Sequence, residues 1–268
     1  MKKTILITGA TDGIGLETAR TLTDLGHHLL LHGRDAAKLD KTRNNLTSPN
    51  GTTALETYVA DLMRPSDVHA MADQIARKHQ RLDVLINNAG VYNTKEPVTG
   101  DGLDARFMVN TIAPYLLTKR LLPLLDDSGR VVNLSSAAQA PVDPQALLGR
   151  VKLSAGEAYA QSKLALNMWS RPAVFSLQGK GPMIVAVNPG SLLATKMVQQ
   201  AFGIAGNDIR IGADILVRAA LSDEFADASG KYFDNDSGQF APSHPDGMNE
   251  EKIQAVVRTM ETVLADIT

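Results

Sequence analysis

The sequence of 268 residues contains no cysteine, so disulfide bonds, cysteine-ligated metals and thiol catalysis are all excluded. An excess of charge is also missing, because 27 Lys and Arg residues face 29 Asp and Glu residues and leave a formal net charge of −2. Such a balance provides no general attraction to nucleic acid or to an anionic membrane surface. We therefore expect no nucleic-acid partner.

Long apolar runs are absent as well, and none approaches the roughly 18–20 residues that a transmembrane helix requires. After Met1-Lys2-Lys3, only the five residues Thr4 to Thr8 precede the first glycine, which is too short for the apolar region of a signal peptide. The six histidines show no spacing that is typical of metal ligands. We expect a cytoplasmic protein with no membrane span and no bound metal.

Short apolar segments alternate with longer amphipathic segments along almost the whole chain. The predicted strands are Thr4–Thr8, His28–His32, Glu56–Ala60, Val84–Asn87, Arg130–Leu134, Ile184–Asn188 and Lys231–Phe233. The predicted helices are Gly13–Leu25, Ala36–Leu46, Ser66–His79, Gly102–Leu125, Gly156–Gln178, Gly206–Leu221 and Asn249–Ile267. This alternation is typical of right-handed βαβ units, and it predicts a single α/β domain over residues 1–268 with helices on both faces of a parallel sheet. Two segments, Gln139–Ala155 and Asp234–Gly247, are predicted to be irregular loops.

A glycine-rich segment, Thr8–Gly15, joins the first predicted strand to the first predicted helix. Its glycines permit a tight turn and close backbone approach, and the helix that follows offers unpaired N–H groups to a pyrophosphate. Such a segment can also be a turn without a ligand, but its position in the first βαβ unit favours phosphate binding. The predicted cofactor-binding residues here are Gly9, Thr11, Asp12, Gly13, Ile14 and Gly15.

The end of the second predicted strand indicates which dinucleotide is bound. Proteins that select NAD usually place an acidic residue here to bind the ribose 2′-hydroxyl, whereas this sequence has Gly33. Arg34 follows, and a guanidinium can bind a 2′-phosphate with two hydrogen bonds. Arg34 could instead be a solvated loop residue, and Asp35 could cap the next helix. The pattern favours NADP(H) over NAD(H).

Lys163 follows Tyr159 at the fourth position along the chain, which places a phenol and an ammonium on the same face of a predicted helix. A unit charge ~5 Å from the phenol is worth roughly 3 kcal/mol at an effective dielectric constant of about 20, or about two pKa units. Lys163 could therefore lower the pKa of Tyr159 toward the range that is useful for proton transfer. A pair with this spacing can also be an ordinary exposed pair.

The pair does not stand alone, because further motifs surround it in a fixed order: Thr8–Gly15, Asn87-Asn88-Ala89-Gly90, Asn110, Ser135-Ser136 and Asn188-Pro189-Gly190. With them the sequence resembles the short-chain dehydrogenase/reductase family from about residue 4 to about residue 200. The resemblance implies a Rossmann-type doubly wound sheet of about seven strands in the order 3-2-1-4-5-6-7. The long segment between Ser136 and Tyr159 is similar to the retinol-dehydrogenase-like and protochlorophyllide-reductase-like branches. That segment is either a loop over the substrate or a surface insertion.

The resemblance also implies roles for the catalytic residues. Ser136, rather than the alternative Ser135, resembles the hydroxyl that binds the substrate oxygen. Tyr159 resembles the general acid/base, and Lys163 resembles the residue that binds the nicotinamide ribose and lowers the tyrosine pKa. Asn110 resembles the helix asparagine that holds a water molecule of a proton relay.

Further positions resemble the family's cofactor-binding residues. They are Asp61 and Leu62 for the adenine, Asn87, Ala89 and Gly90 for the adenosine ribose, and Pro189, Gly190 and Leu192 for the nicotinamide side. After Gly190, the expected threonine occurs one residue late, at Thr195. Contact with the cofactor by Ser191, Leu192 or Thr195 therefore stays open.

These observations together predict an NADP(H)-preferring oxidoreductase that acts on a small-molecule carbonyl or alcohol substrate. Two alternatives stay open: a reductase of C=C bonds with the same fold, and a nucleotide-binding regulator without catalysis. The second alternative is disfavoured because Asn110, Ser136, Tyr159 and Lys163 are all present. The oligomeric state is open between a homo-oligomer and a monomer.

Overall fold

The computed structural model describes residues 2–46, 53–175, 177 and 180–267. Its strands are β1 (Thr4–Ile7), β2 (His28–Gly33), β3 (Leu55–Val59), β4 (Val84–Asn87), β5 (Arg130–Leu134), β6 (Met183–Asn188), β7 (Tyr232–Asp234) and β8 (Gln239–Ala241). They form one sheet in the order β3-β2-β1-β4-β5-β6-β7-β8. The first seven strands are parallel to their neighbours, and β8 runs antiparallel to β7. The predicted α/β class and strand order are confirmed, with an eighth strand added.

Helices cover the sheet. They are α1 (Gly13–Asp24), α2 (Ala36–Asn45), α3 (Pro65–Lys78), α4 (Ala105–Phe107), α5 (Ala113–Leu121), α6 (Pro144–Leu147), α7 (Ala155–Trp169), α8 (Lys196–Phe202), α9 (Ile209–Leu221) and α10 (Glu250–Ile267). A π-helical turn, Met108–Ile112, joins α4 to α5.

The core has two parts because each inner strand is buried on both faces of the sheet. In β1, Leu6 belongs to the core that includes residues of α3, α5, α7 and α10. Its neighbours Ile5 and Ile7 belong to the core that includes residues of α1 and α9. Successive residues of a strand point to opposite faces, so a strand buried on both sides is apolar throughout. The parallel connections bring the carboxyl ends of the strands to one edge of the sheet.

Two predicted helices differ from the observed ones. The predicted helix Gly156–Gln178 is wrong at its end, because α7 stops at Trp169 and Pro172 begins a short 3-10 turn. Proline has no N–H to donate and disfavours a helical conformation in the residue before it, which explains the early end. Gln178 lies outside the described residues. The predicted helix Gly102–Leu125 is divided into α4, the π-helical turn and α5.

Both predicted irregular loops contain regular structure, and α8 was not predicted. Gln139–Ala155 contains α6, whose Leu147 is fully buried in the core. Asp234–Gly247 contains β8 and the start of a 3-10 turn, Pro245–Met248. Among the described residues, no helix is both long and apolar enough to cross a membrane.

Candidate active site

The glycine-rich segment forms a tight turn between β1 and α1, held from one side by Asn88. Gly9 and Gly13 have φ values of 67° and 57°, in the left-handed region that favours glycine. The Asn88 amide donates hydrogen bonds to the carbonyl oxygens of Thr8 at 2.8 Å and Gly9 at 3.2 Å. A Cβ atom at Gly15 would overlap the Gly9 carbonyl oxygen and the Asn88 amide. The first N–H groups of α1 have no partner within the helix. They lie next to a turn whose glycines have no side chains.

His32 holds the same turn from the other side. Its Nδ1 accepts a hydrogen bond from the Gly9 N–H at 3.2 Å, and its Nε2 lies 3.0 Å from the Ala60 carbonyl oxygen. Burial lowers the pKa of His32 to about 4, so the ring is neutral at pH 7 and its Nε2–H donates to Ala60. Sequence reasoning missed both His32 and Asn88, because their function depends on contacts between distant segments.

The end of β2 has the features expected of an NADP site. A Cβ atom at Gly33 would lie 2.8 Å from Thr11 Cγ2, so this position has little room for an acidic side chain. Arg34 is exposed, and within the described part of the chain no hydrogen bond or ion pair engages it. Asp35 caps α2, where it accepts a hydrogen bond from the Lys38 N–H at 3.0 Å. The guanidinium is therefore the charged group that this strand end presents to solvent.

Asp12 caps α1 and links it to the segment after β6. Its carboxylate accepts a hydrogen bond from the Gly13 N–H at 2.9 Å and forms an ion pair with Lys196. Thr195 caps α8 and accepts a hydrogen bond from the Val198 N–H at 3.2 Å. Lys196 was not among the predicted site residues, although it contacts the glycine-rich turn through Asp12.

Two hydroxyl groups meet at the end of β5. The side chains of Ser136 and Tyr159 are close enough for the Ser136 hydroxyl to lower the pKa of Tyr159, and Ser136 Oγ accepts a hydrogen bond from the Ala138 N–H at 3.1 Å. Ser135, the alternative, is buried, and its Oγ has no hydrogen-bond partner among the described residues. The geometry therefore favours Ser136 as the partner of Tyr159.

Lys163 lies beneath this pair on α7. Its Nζ donates a hydrogen bond to the Leu134 carbonyl oxygen at 2.6 Å and lies 5.7 Å from the centre of the Tyr159 ring. The side chain is only 3% exposed, and burial lowers its pKa to about 7. Burial raises the pKa of Tyr159, against the effect of the Ser136 hydrogen bond and together with that of Tyr92. The pKa of Tyr159 is therefore shifted in the direction opposite to the one expected from a nearby ammonium. The main reason is that burial of the phenol disfavours the phenolate, and burial disfavours the ammonium form of Lys163 as well.

Asn110 lies inside the π-helical turn, and such turns are frequent at functional sites. Its Oδ1 accepts a hydrogen bond from the Val91 N–H at 2.8 Å, and its Nδ2 donates to Ser162 Oγ at 3.0 Å. A Cβ atom at Gly90 would lie 3.4 Å from Asn110 Oδ1 and 3.7 Å from Lys163 Nζ. The predicted Gly90, Asn110 and Lys163 are therefore brought together.

Other predicted cofactor residues lie farther from the hydroxyl pair. The Asn87 side chain points into the interior, where it donates hydrogen bonds to Asn133 Oδ1 at 2.8 Å and to Thr118 Oγ1 at 3.2 Å. Asp61 and Leu62 follow β3, the outermost strand, which lies four strands away from β5 in the sheet. Of the remaining predicted residues, Gly9 lies beside Ala89, Thr11 lies beside Gly33, and Ile14 lies beside Gly212 of α9.

The turn after β6 is held by the segment that connects β7 to β8. Asp236 accepts hydrogen bonds from the Ser191 N–H at 2.7 Å and from the Asn188 amide at 2.9 Å. Gly190 has φ 113°, and Leu192, with φ 54°, is the one non-glycine residue among those described whose φ lies in the left-handed region. Leu192 is 44% exposed, whereas the Ser191 hydroxyl is occupied by Asp236. Of the alternatives after Pro189, the hydroxyl groups of Ser191 and Thr195 are hydrogen-bonded to Asp236 and to the Val198 N–H, whereas the Leu192 side chain is exposed.

The segment between Ser136 and Tyr159 is anchored against α7 rather than projecting into solvent. The Ala140 N–H donates to the Ala160 carbonyl oxygen at 3.3 Å, and the Asp143 N–H donates to Gln161 Oε1 at 2.9 Å. With α6 packed into the core, the segment forms a fixed wall next to the hydroxyl pair.

Comparisons with known proteins agree with this geometry. The family model described as short chain dehydrogenase matches residues 3–206. Human retinol dehydrogenase 13 is 31% identical over 268 residues, which cover 93% of this chain and 80% of that protein. An uncharacterized protein from Mycobacterium paratuberculosis superimposes with a TM-score of 0.80 at 26% identity, over 98% of this chain and 93% of that chain. A protein described as a short chain dehydrogenase from Escherichia coli CFT073, solved with NADPH, gives a TM-score of 0.68 at 29% identity, over 87% of this chain and 96% of that chain. The chain belongs to the short chain dehydrogenase family of oxidoreductases and is similar to its retinol-dehydrogenase-like branch.

Proposed function

We propose that the protein is an NADP(H)-dependent oxidoreductase that interconverts a small carbonyl compound and its alcohol, with Tyr159 as the proton-transfer residue. The observation that carries this proposal is that Ser136 and the buried Lys163 both lie beside Tyr159, with Lys163 Nζ 5.7 Å from the centre of the Tyr159 ring. When bound, the nicotinamide cofactor supplies the hydride.

The two hydroxyl groups have different tasks in this reaction. Ser136 Oγ binds and orients the substrate oxygen, and the Tyr159 phenol donates the proton to it. Because burial raises the pKa of Tyr159, the phenol is protonated at neutral pH and is in the form that reduction requires. A positioned acid of this kind typically contributes about 10²–10⁴-fold to the rate.

Lys163 holds the reacting groups in place. Its hydrogen bond to the Leu134 carbonyl oxygen uses one of its donors, and the absence of a side chain at Gly90 leaves space beside Nζ. A ribose hydroxyl fits this position, as an acceptor for a second N–H of Lys163. Binding of an oxidised, positively charged nicotinamide ring near Tyr159 would also favour the phenolate that oxidation requires.

The preference for NADP(H) rests on the end of β2. Gly33 leaves little room for the acidic residue of an NAD site, and Arg34 is an exposed cation beside the glycine-rich turn that has no partner among the described residues. The Escherichia coli relative was solved with NADPH, which supports the same cofactor here.

The test is the substitution Tyr159→Phe, measured on the wild type and variant with NADPH and a panel of small to medium apolar aldehydes and ketones. We expect turnover to fall by at least about 10²-fold, because the proton donor is lost, while NADPH affinity is unchanged. Product analysis identifies alcohol formation rather than saturation of a C=C bond.

The matched control is Tyr115→Phe, which removes the same hydroxyl from a buried tyrosine of α5 that donates a hydrogen bond to Glu261 of α10. This variant should keep its turnover. Substantial activity in Tyr159→Phe would remove Tyr159 from the proposed role. A wild-type protein that binds NADPH and reduces no member of the panel would favour the non-catalytic regulator.

A further inference from the structure

A cavity of about 340 Å³ lies between the C-terminal part of α7, β6 and the β7–β8 hairpin. None of the proposed catalytic residues lines it. Most of its wall is apolar, formed by Ala186, Tyr232, Phe240, Ala241, Pro242 and Met248. Its polar groups are few, which is typical of a small-molecule site in which a few placed groups orient the ligand.

The first of these polar groups is the amide of Asn167. Asn167 lines the cavity and is only 7% exposed, yet neither its Oδ1 nor its Nδ2 has a hydrogen-bond partner among the described residues. A buried polar group without a partner is unfavourable, and such groups in folded proteins usually have a ligand or water to complete them. The amide therefore indicates that a polar atom belongs in the cavity.

The other polar groups include two cations, Arg171 and Lys231. Arg171 donates a hydrogen bond to the Gly247 carbonyl oxygen at 2.8 Å, and Lys231 Nζ lies 5.4 Å from the centre of the Phe240 ring. In the part of the chain that the structure describes, neither cation is paired with a carboxylate, and no Asp or Glu lines the cavity. A positively charged end next to an apolar wall complements an anion with an apolar body.

We propose that this cavity binds a small organic carboxylate with an apolar body. The carboxylate lies between Arg171 and Lys231 and accepts a hydrogen bond from Asn167 Nδ2. The body packs against Phe240 and Met248, which are both partly exposed at the cavity wall. The inference goes beyond the proposed function and does not depend on it.

The cavity is connected to the proposed active site through one side chain. Tyr232 lines the cavity, and its hydroxyl donates a hydrogen bond to the Ser136 carbonyl oxygen at 3.3 Å. The Gln139 amide donates to the same oxygen at 3.0 Å. A ligand that contacts Tyr232 therefore contacts the group that fixes the backbone of the proposed substrate-binding serine.

The test uses isothermal titration of the whole chain, saturated with NADPH, with octanoate and separately with 1-octanol as probes. We expect one octanoate to bind per chain, and 1-octanol to bind about tenfold or more weakly because it lacks the charge. Lys231→Met and Asn167→Leu should each weaken octanoate binding about tenfold. Lys41→Gln, which neutralises an exposed cation on α2, is the matched control and should leave the affinity unchanged.

Three results would overturn the proposal: no octanoate binding, equal binding of 1-octanol, or unchanged octanoate affinity in both cavity variants. The last result would place octanoate elsewhere, for example at the proposed active site. Circular dichroism of Asn167→Leu establishes that this buried substitution folds. Lys231 is exposed, so Lys231→Met provides a test that does not depend on a buried substitution.

Discussion

At the residue scale, Arg34 and His32 lie two positions apart near the end of β2, with one side chain exposed and the other buried. The exposed Arg34 has no partner among the described residues, so it is free to bind a ligand. The buried His32 already has two partners, the Gly9 N–H and the Ala60 carbonyl oxygen. We therefore expect Arg34 to affect cofactor selectivity and His32 to affect stability.

Replacement of Arg34 tests the proposed contact with the 2′-phosphate. Arg34→Ala should weaken NADPH binding by about 10- to 100-fold, because hydrogen bonds to a charged group are lost, and should leave NADH binding unchanged. Titration with each cofactor measures both affinities. Lys38→Ala, which removes an exposed cation from the first turn of α2, is the control and should have little effect. An equal loss of affinity for the two cofactors would contradict the 2′-phosphate contact.

The titration of His32 predicts a loss of stability in acid. Burial lowers its pKa from 6.5 to about 4 in the folded state, so the unfolded chain takes up the proton first as the pH falls. The free energy of unfolding should therefore decrease from about pH 6.5 toward pH 4, by up to roughly 3 kcal/mol from this residue. Above pH 6.5 the ring is neutral in both states, and His32 contributes no pH dependence there.

The substitution His32→Gln removes this titration while keeping a donor and an acceptor. Urea unfolding at several pH values between 7 and 4.5 measures the difference between the wild type and the variant. The other acidic and basic groups titrate in both proteins, so the smaller pH dependence expected for the variant isolates His32. The same pH dependence in both proteins would show that His32 does not stay neutral in the folded state.

At the element scale, the first turn depends on the close approach of its own backbone. Helix propensity alone would make Gly15→Ala stabilising by roughly 0.5–1 kcal/mol in α1. A Cβ atom there overlaps the Gly9 carbonyl oxygen and the Asn88 amide, and such overpacking typically costs about 1–3 kcal/mol. We expect the steric effect to exceed the propensity, so that the variant is less stable and binds NADPH weakly.

Gly100→Ala is the matched control for this prediction. A Cβ atom at Gly100 has no neighbour within 4 Å, and its φ lies outside the left-handed region. Urea unfolding and NADPH titration of both variants test the prediction. Unchanged cofactor binding in Gly15→Ala would show that the turn can open without loss of the phosphate site.

The elements that could be predicted from the sequence are those with a strong local pattern. Strands such as β4 and β6 are apolar up to a final asparagine because they are buried on both faces, and this pattern predicted their positions. β8 has three residues, of which Gln239 and Phe240 are exposed, and its pairing with β7 is visible only in three dimensions. In the sequence, the π-helical turn has the same periodicity as a continuous helix. The short α8 has no periodicity that distinguishes it from a loop.

In the candidate site, too, residues with a local sequence pattern were predicted, and residues that depend on long-range contacts were missed. Ser136, Tyr159 and Lys163 were predicted because their order and spacing are visible along the chain. His32 and Asp236 were missed because each acts on a segment that is distant in sequence, namely Gly9 and Ser191. The inward orientation of Asn87 was missed for the same reason, since its partners lie on α5 and β5.

At the scale of the whole molecule, one continuous sheet separates two cores, and each core includes residues from both halves of the chain. Ile5 of β1 and Phe233 of β7 belong to the same core, and Leu6 shares the other core with Val263 of α10. Neither half can unfold without exposing apolar surface of the other. We therefore propose that residues 1–268 form a single cooperative domain.

Calorimetry tests this proposal directly. We expect one unfolding transition with equal calorimetric and van't Hoff enthalpies, because the shared cores couple the two halves. NADPH at 100 times its Kd should stabilise the folded state by about 2.7 kcal/mol and shift the whole transition upward by several degrees. NADH at the same concentration should produce a smaller shift if Arg34 selects NADP(H). Two separate transitions, of which NADPH shifts only one, would contradict the proposal. They would show that the C-terminal strands and α10 unfold as a separate unit despite their place in the same sheet.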